Sequence, residues 1–447
     1  MQNKPDEKVV VVGLGYVGTP IACLFAKAGF LTVGIDVDPE KIGLTNRGRL
    51  TFKGKEPRLE SLLRAVVTKK RLVASVNFSE CKDAQAIIVC VDTPIDFETK
   101  KPNYKSLKSA LKSIAKYLAK DTMVVIESTL APLTMQKLVK PVLEANSNLK
   151  AGKDFYLAHV PERVMPGRLI YNLLHYNRVI GGIDKKSAER VKALYQKVFE
   201  VDFDVTDCLT AELTKTVENT SRDVQIAFAN EVALICEKLG ADVFKVRDLV
   251  NKCPFRDMRY PGAGVGGPCL TKDPWLLMSS VNGHLKDSLV ALSRYRNDSM
   301  PDHVVKLTKD GFAEAGKNLK GSKIALLGLA YSPNSYETRN SPGVHIAQKL
   351  LKIGAKLAVY DPHVEPEIFD GQKIKPNQNL EEVISGSDCI VLATPHDRYK
   401  RLSLLKLKKL MKKSPIIIDS GDTFDKKKSE REGFIHKGIG KGYLRSG

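Results

Sequence analysis

Three short stretches of the 447-residue chain bring together residue types that can do chemistry. The first is the turn Gly13-Leu14-Gly15-Tyr16-Val17-Gly18, which matches G-x-G-x-x-G and precedes Asp36 at the end of the next apolar run. Glycines let the backbone approach a pyrophosphate, and the start of the following helix supplies N–H donors. A carboxylate at Asp36 would bind ribose hydroxyls and repel a 2′-phosphate, so this stretch predicts a site for NAD rather than NADP.

The second stretch is a glycine-rich loop that ends in a cysteine, Pro261-Gly262-Ala263-Gly264-Val265-Gly266-Gly267-Pro268-Cys269. Such a loop can bring backbone N–H groups close to an anionic ligand. The Cys269 thiol is a candidate nucleophile, Lys272 could favour its thiolate, and Asp273 follows one helical turn later. A buried cysteine in a tight turn is the alternative that the local sequence leaves open.

The third stretch carries Lys215 and Asn219, which are four residues apart and therefore share one face of the helix predicted over Thr210–Leu239. A surface salt bridge, for example with Glu212, is the ordinary explanation for such a lysine. Asparagine has a poor helix propensity, so its place in mid-helix is harder to explain by structure alone and favours a functional role.

These stretches need a scaffold, and the N-terminal half of the chain predicts one by alternating apolar runs with amphipathic segments. Strands that alternate with helices indicate a parallel sheet with right-handed crossovers. The predicted strands are Lys8–Val12, Leu31–Ile35, Ala86–Val91 and Met123–Ile126, and the predicted helices are Thr19–Ala28 and Tyr104–Leu118.

The same pattern recurs near the C-terminus, which indicates an internal duplication of a doubly wound unit. The runs 323–328, 357–362, 389–395 and 416–420 echo 9–13, 33–39, 87–94 and 124–128 in the same order. The second unit has Gly328-Leu329-Ala330 and lacks the complete glycine pattern. We therefore expect it to hold a mononucleotide or a substrate.

Between the two units, apolar residues recur at the spacing of an α-helix. A second helix is predicted over Leu285–Phe312, with a kink or a split at Pro301. The sequence thus predicts an α/β fold with two doubly wound Rossmann-like domains joined by a central helical domain with a long helix. The expected domains are a cofactor domain over 1–206, a helical dimerisation domain over 207–316 and a substrate domain over 317–447.

Composition narrows the classes of protein. The formal net charge is +20, yet the basic residues are mostly dispersed, which favours a solvated surface over a nucleic-acid platform. The eight cysteines form no C-x-x-C pair and no zinc-like cluster, so no metal is expected. The polar N-terminus is no secretory signal, and no apolar run approaches the ~18 residues of a spanning helix. The expected compartment is the cytoplasm, with no membrane partner.

Taken in order, the motifs resemble those of the nucleotide-sugar 6-dehydrogenases, the UDP-glucose and UDP-N-acetylmannosamine dehydrogenase group. The resemblance covers essentially the whole chain. Besides the glycine turn and the cysteine loop it rests on the stretches at 90–94, 127–129, 161–163, 211–219 and 328–331.

The resemblance implies roles for individual residues. Cys269 is the nucleophile, Lys215 and Asn219 line the oxyanion site, Asp273 assists proton transfer and water activation, and Glu162 and Thr129 lie beside the sugar and the catalytic water. The implied cofactor residues are Gly13, Gly15, Tyr16, Val17, Gly18, Asp36, Lys41, Thr93 and Thr129. The implied substrate residues are Glu162, Arg163, Lys215, Asn219, Arg256, Gly262, Gly264, Gly266 and Arg339, with Arg256 reaching the neighbouring subunit of a homodimer.

The stretch after Glu162 favours one branch of this group. The UDP-glucose branch usually has a second Glu there, whereas this chain has Arg163-Val164-Met165-Pro166-Gly167, which resembles the UDP-N-acetylmannosamine branch. Two departures are Pro268, where a His often precedes the cysteine, and Gly421, where the family often has an Arg. With Arg absent at 421, one phosphate contact is either lost or supplied elsewhere.

The implied reaction is a four-electron oxidation of a primary alcohol to a uronate, using two NAD in sequence through a Cys269 thiohemiacetal and thioester. Within the family, UDP-glucose or another UDP-N-acetylhexosamine stays open as the substrate. A two-electron hydroxyacid-type dehydrogenase and a non-catalytic nucleotide or nucleic-acid binding protein are the alternatives from other classes. The first needs neither the cysteine loop nor the second α/β unit, and the second rests on charge alone.

Overall fold

The structure is a computed structural model that describes residues 7–52, 54, 56–281, 287–366 and 374–442. The described chain divides into two compact units. The first contains the residues up to Glu218 and a short segment that starts at Trp275, and the second contains Asn219–Pro274 and the described residues after 286. The predicted division at 1–206, 207–316 and 317–447 stays a prediction.

The first unit is built on an eight-stranded sheet with the order β3-β2-β1-β4-β5-β6-β7-β8, in which only the pair β6–β7 is antiparallel. Its strands are β1 Lys8–Val12, β2 Leu31–Ile35, β3 Leu72–Ser75, β4 Ala86–Val89, β5 Met123–Ile126, β6 Tyr156–His159, β7 Arg178–Gly182 and β8 Phe203–Asp207. Its helices are α1 Gly18–Lys27, α2 Pro39–Asn46, α3 Leu59–Thr68, α4 Lys105–Ala115, α5 Lys140–Ser147 (after a π-helical turn, Met135–Val139), α6 Leu169–His175 and α7 Lys185–Tyr195.

The valine run of β1 explains why this sheet is covered on both faces. Val9 and Val11 belong to the apolar core on one face, and Val10 and Val12 belong to the core on the other. Side chains alternate between the faces of a strand, so an unbroken apolar run requires burial on both. The glycine turn follows β1, which lies inside the sheet between β2 and β4.

The long helix α8, Cys208–Leu239, begins in the first unit and continues into the second. After it come α9 Val243–Val250, α10 Asp273–Ser279, α11 Leu289–Glu314, α12 Pro342–Ile353, α13 Leu380–Ile384, α14 Leu404–Leu410 and α15 Lys426–Arg431. The second unit holds a parallel sheet with the order β10-β9-β11-β12-β13, made of β9 Lys323–Leu327, β10 Lys356–Tyr360, β11 Cys389–Leu392, β12 Ile416–Asp419 and β13 Ile435–Gly438. Single 3₁₀ turns lie at Phe78–Cys81 and Tyr399–Arg401.

The predicted fold class and the duplication are both confirmed. The order β10-β9-β11-β12-β13 repeats β2-β1-β4-β5-β6. Gly13 and Gly328 both have φ of 98°. Each donates its N–H across the sheet, to the carbonyl oxygens of Ile35 and Tyr360. The two units therefore start with the same strand–turn geometry.

The sequence predicts a kink or a split of α11 at Pro301, and the structure rules out the split. The helix does not split at Pro301, although Pro301 lies inside it. Proline has no backbone N–H, so position 301 cannot donate the usual helix hydrogen bond to the carbonyl oxygen of Asn297. A Cβ at Gly264 would lie 2.7 Å from that oxygen, so the carbonyl faces the cysteine loop. The predicted start at Leu285 lies outside the described residues, and the predicted strand Ala86–Val91 ends at Val89.

Within the described ranges, no helix combines the length and apolar character needed to cross a bilayer. Nor does that part of the chain contain three or more His, Cys, Asp or Glu side chains grouped to hold a metal ion.

Candidate active site

The glycine turn has the shape that a dinucleotide needs. A Cβ at Gly13 would lie 2.7 Å from the carbonyl oxygen of Cys90, and a Cβ at Gly18 would lie 1.7 Å from the carbonyl oxygen of Gly13. These two glycines are required by packing within the protein. A Cβ at Gly15 would instead meet no described atom within 4 Å, so this side of the turn is open to a ligand. The N-terminal N–H groups of α1 begin at the same turn, and the residues present fit the pyrophosphate of NAD.

Asp36 is buried at the end of β2 and faces the same turn. Its Oδ2 accepts a hydrogen bond from the Leu14 N–H at 2.8 Å, and its Oδ1 accepts one from the Asp38 N–H at 3.1 Å. The Lys41 ammonium is 3.6 Å from Oδ2. A carboxylate oxygen has lone pairs for more than one donor, so the diol of a ribose can be accommodated, whereas a 2′-phosphate would meet a negative charge.

The ends of β4 and β5 bring together two predicted cofactor residues. The Thr93 hydroxyl donates to the carbonyl oxygen of Thr129 at 2.6 Å. Ser128 donates in the same way to the carbonyl of Val91 at 2.6 Å. Both hydroxyls tie the two strand ends to each other, and this fixes the position of the Thr129 backbone.

Lys215 and Glu162 also lie together, and both side chains are buried. The Lys215 ammonium donates to the backbone carbonyl of Glu162 at 2.5 Å, and the Glu162 carboxylate lies 3.9 Å away. Glu162 Oε2 accepts a bond from the Val164 N–H at 2.6 Å. His159, at the end of β6, is fully buried, and burial together with the Lys215 charge lowers the pKa of its ring to about 4. It is therefore a neutral neighbour of the lysine, and the sequence reasoning had assigned it no role.

Arg163 binds the Glu218 carboxylate and the carbonyl oxygen of Asn177. Its Nε and Nη2 donate to the Glu218 carboxylate at 3.1 and 2.5 Å, and its Nη1 donates to the carbonyl oxygen of Asn177 at 2.6 Å. The contacts given for Arg163 thus tie the loop after β6 to the first part of α8, and the predicted substrate role of Arg163 stays a prediction.

In the second unit, packing within the protein explains three of the four glycines of the cysteine loop, namely Gly264, Gly266 and Gly267. A Cβ at Gly266 would lie 2.6 Å from the Tyr331 Cβ, and one at Gly267 would lie 3.0 Å from the Tyr331 ring. Gly264, whose φ is +123°, faces the Asn297 carbonyl on α11. The sequence predicts close approach of an anionic ligand to this run of small residues, and the substrate roles of Gly262, Gly264 and Gly266 stay predictions. Gly262 differs, because the nearest atom to its Cβ would be 3.8 Å away.

Both arms of the cysteine loop are anchored to helices. At the first arm, the Gly262 N–H donates to Asn230 Oδ1 at 2.9 Å, and Asn230 in turn donates to Asn297 Oδ1 at 2.9 Å. At the second arm, Arg294 Nη1 donates to the carbonyl oxygen of Leu270 at 3.2 Å, directly after the cysteine.

The Arg294 charge is compensated in a buried network. Its Nη1 also donates to Asp223 Oδ1 at 2.5 Å, and its Nη2 donates to Asp298 at 2.8 Å. The Arg294 and Asp223 side chains are each 1% exposed, and Asp298 is half exposed. Burial raises the pKa of Asp223 to about 6, although the Arg294 charge opposes the rise. The loop that carries the thiol is therefore held by fully buried charges.

Cys269 and Asp273 share one helical turn, as predicted, because the Asp273 N–H donates to the Cys269 carbonyl at 2.9 Å. The Asp273 carboxylate is fully buried and accepts bonds from Asn219 Nδ2 at 2.5 Å and from Lys272 Nζ at 2.7 Å. The Lys272 charge, which was expected to favour the thiolate, thus pairs with Asp273. Asn219 and Asp273, two of the predicted catalytic residues, are thus in direct contact.

Tyr331 is a neighbour of the thiol to which the sequence analysis assigns no role. Burial, together with the negative charge of Cys269, raises the pKa of its hydroxyl to about 12. The phenol therefore stays protonated beside the sulfur. Its position after Gly328-Leu329-Ala330, at the turn that follows β9, is the signal that could have found it.

Arg256 and Arg339, the two remaining predicted substrate residues, make local contacts. Arg256 Nη1 donates to the Phe255 carbonyl at 3.4 Å, and Arg339 Nη2 donates to Glu337 at 2.6 Å. Gly421, where the resemblance leads one to expect an Arg, lies against the Pro395 ring. A Cβ at this position would lie 2.5 Å from the Pro395 ring, so any side chain would displace it.

Comparison with known proteins matches three family models along the chain. They are the NAD binding domain of the UDP-glucose/GDP-mannose dehydrogenase family at residues 7–199, its central domain at 209–299 and its UDP binding domain at 325–426. The UDP-N-acetyl-D-mannosamine dehydrogenase of Methanococcus maripaludis (strain C7) is 34% identical, over 98% of this chain and 98% of that protein.

Two solved structures are similar over nearly the full length. The structure of UDP-D-ManNAc dehydrogenase from Pyrococcus horikoshii has a TM-score of 0.89 and 35% identity, and covers 98% of this chain and 100% of that one. The NDP-N-acetyl-D-galactosaminuronic acid dehydrogenase from Methanosarcina mazei Go1 has a TM-score of 0.86 and 38% identity, and covers 98% and 96%.

Proposed function

The chain belongs to the UDP-glucose/GDP-mannose dehydrogenase family, and we propose that it oxidises C6 of UDP-N-acetyl-D-mannosamine to the uronate with NAD. Full-length relatives named for that activity support the assignment. The observation that carries the choice of sugar is the turn at Pro166-Gly167, where Gly167 has φ of 79°. Proline at 166 removes the carboxylate that the UDP-glucose branch usually has there. A Cβ at Gly167 would meet no described atom within 4 Å, and we infer that this open space accommodates the N-acetyl group.

The open side of Gly15 and the Asp36 carboxylate fit NAD, and NAD, when bound, supplies the hydride acceptor for both oxidations. The protein's own chemistry centres on Cys269. A free aldehyde is a poor hydride donor, so the thiolate adds to the C6 carbonyl carbon and the carbonyl electron pair moves to oxygen. The resulting thiohemiacetal is the species that is oxidised to the thioester.

The oxyanion that forms with the carbon–sulfur bond needs donors. We assign this role to the Lys215 ammonium and the Asn219 amide, and a donor at such a position contributes about 3–4 kcal/mol. In the last step water attacks the thioester, the carbon–sulfur bond breaks, and the thiolate leaves. Asp273, buried and held by Asn219 and Lys272, takes up the proton of that water.

A panel of nucleotide sugars tests the substrate. We expect kcat/KM to be highest for UDP-N-acetylmannosamine among the N-acetylmannosamine, N-acetylglucosamine, N-acetylgalactosamine and glucose derivatives, with two NADH released per sugar. The Methanosarcina mazei relative, named for a galactosaminuronic acid, makes an N-acetylgalactosamine derivative the second candidate. A preference for UDP-glucose would refute the branch assignment, and one NADH per sugar would refute the four-electron reaction.

The nucleophile has a matched control within the chain. Cys269→Ser is expected to abolish uronate formation while NADH still binds, because serine at neutral pH is a far weaker nucleophile than a thiolate. Cys253 is exposed and lies outside the loop, so Cys253→Ser is expected to keep wild-type turnover. Full activity of Cys269→Ser would remove the thiol from the mechanism.

We further propose that the protein is a homodimer that uses the exposed apolar face of α8. Phe228, Ile235 and Leu239 lie at helical spacing and are 61, 47 and 74% exposed. Phe255, next to Arg256, is completely exposed and has φ of 63°, a conformation that costs free energy for a non-glycine residue. A second copy would cover these side chains and receive Arg256.

The dimer is tested by sedimentation of the wild type and of Phe228→Ser/Ile235→Ser. The expected result is a dimer that becomes a monomer with low activity. Leu405→Ser, an equally exposed apolar site in the second unit, is the control and should stay dimeric. A fully active wild-type monomer would refute the proposal.

A further inference from the structure

The segment between α2 and α3 lies along the glycine turn of the first unit. The Thr51 hydroxyl donates to the carbonyl oxygen of Leu14 at 2.5 Å and lies 3.3 Å from the Thr19 hydroxyl. The Phe52 ring contacts the Tyr16 ring, with centroids 4.8 Å apart. Residues 53 and 55 lie outside the described chain. Thr51 and Phe52 therefore pack against the cofactor turn.

Glu56, at the end of that segment, contacts a second loop as well. Its side chain is buried, and its Oε1 accepts bonds from the Tyr16 hydroxyl at 2.5 Å and from the Gly167 N–H at 2.6 Å. Its Oε2 accepts from the Leu169 N–H at 3.2 Å. One carboxylate thus joins the glycine turn to the loop 161–168, which lies more than 100 residues away in sequence.

The residue type matters because all three partners are donors. An ionised carboxylate has only acceptors, whereas a glutamine in the same place would turn one N–H₂ group toward a donor. A buried carboxylate with unsatisfied oxygens is costly, so the arrangement of Tyr16 and of the Gly167 turn is favoured together.

We propose that Glu56 is a positioning residue that couples occupancy of the cofactor turn to the conformation of the loop 161–168. The inference rests on the proposed function, in which that loop shapes the sugar site. A cofactor that orders the turn fixes the Tyr16 hydroxyl, and the Glu56 carboxylate then holds the Gly167 N–H in the position that forms the turn after Pro166. Coupling of this kind is reciprocal, so the nucleotide sugar strengthens cofactor binding by the same factor.

The coupling is measured as the ratio of the NADH dissociation constants without and with saturating UDP-N-acetylmannosamine, by fluorescence titration of the full-length protein. A ratio of roughly 5–150 is typical of two coupled sites. We expect the ratio to fall to about 1 in Tyr16→Phe, which removes only the hydroxyl, and in Glu56→Gln. Tyr16→Phe keeps the ring and its packing, so it decides the matter even where Glu56→Gln folds poorly.

Phe52→Leu is the matched control, because Phe52 packs on the same tyrosine ring and makes no bond to Glu56 in the contacts described. It is expected to keep the wild-type ratio. A wild-type ratio near 1, an unchanged ratio in Tyr16→Phe, or an equal loss in Phe52→Leu would each overturn the inference. A wild type that oxidises none of the UDP-sugars overturns the proposed function itself. An active wild type whose coupling ratio is unchanged in Tyr16→Phe overturns only the role of Glu56.

Discussion

The buried pair Asp223 and Arg294 predicts an asymmetric response to mutation. Asp223→Asn leaves a guanidinium that cannot lose its proton, with the half-exposed Asp298 as its remaining carboxylate in the contacts described. Removing one partner of a buried ion pair costs about 3–5 kcal/mol. For a unit of 150–250 residues each kcal/mol lowers Tm by about 2–4 °C, so we expect a decrease of roughly 6–20 °C.

Arg294→Met is expected to cost less, because an aspartic acid can escape the unfavourable charge by binding a proton. Burial already raises the Asp223 pKa to about 6 against the opposing Arg294 charge, and loss of that charge raises it further. The neutral acid still accepts from Asn297, which donates to Asp223 Oδ1 at 2.8 Å. The remaining losses are the hydrogen bond to the Leu270 carbonyl and its desolvation, about 2 kcal/mol.

The two variants should also differ in their pH dependence. A carboxyl whose folded pKa is raised contributes stability that is present below its unfolded pKa, near 4, and is lost as pH rises through the folded pKa. In the wild type this loss ends near pH 6, and in Arg294→Met it continues above pH 6. The deficit of Arg294→Met therefore widens from pH 6 to 8. The deficit of Asp223→Asn instead narrows from pH 4 to 6 and is constant above.

Thermal unfolding of the full-length protein between pH 5 and 8 measures both effects. The control is Arg296→Met. Arg296 lies on the same helix as Arg294 and forms an exposed ion pair with Glu231, so its loss should cost at most about 1 kcal/mol. If Arg294→Met is less stable than Asp223→Asn at pH 5, or if neither deficit depends on pH, the reasoning from buried charge is wrong.

Three further predictions concern the two nucleotide folds. Gly18→Ala should prevent a stable fold because its Cβ would overlap the Gly13 carbonyl, whereas Gly15→Ala should keep the wild-type Tm and weaken NADH binding in a fluorescence titration. Asp36→Ser should raise the KM for NAD and lower the NAD:NADP ratio of kcat/KM, and an unchanged ratio would count against this carboxylate. Gly421→Arg should lower Tm, without improving the KM for the nucleotide sugar, because its Cβ would overlap the Pro395 ring.

The elements that the sequence predicted best are those with a strong local signal. The bounds of β1, β2 and β5 agree with the predicted bounds residue by residue, since strands buried on both faces are predominantly apolar and stand out from their surroundings. The same holds for the thiol and Asp273, which are close in sequence and share a turn.

The features that escaped prediction depend on partners distant in sequence. The packing that requires glycine at 266 could not be predicted, because nothing nearby in sequence indicates that Tyr331 fills the space beside it. Glu56 lies in a charged loop with no periodicity, and its donors come from positions 16, 167 and 169. Local patterns carry no information on such contacts, which arise only when the sheet brings several loops to one edge.

The duplicated acids explain why the two similar folds recognise different ligands. In the second unit, Asp361 holds the place of Asp36, yet its Oδ2 accepts from the Leu329 and Ala330 N–H groups at 2.6 and 3.0 Å and lies 3.0 Å from His396 Nε2. In the first unit the corresponding oxygen of Asp36 accepts one backbone N–H. An acid whose lone pairs are already used by the protein has little capacity left for a ribose diol. The duplicated turn in the second unit therefore keeps its shape while losing the feature that selects a dinucleotide, as expected of a domain that binds UDP.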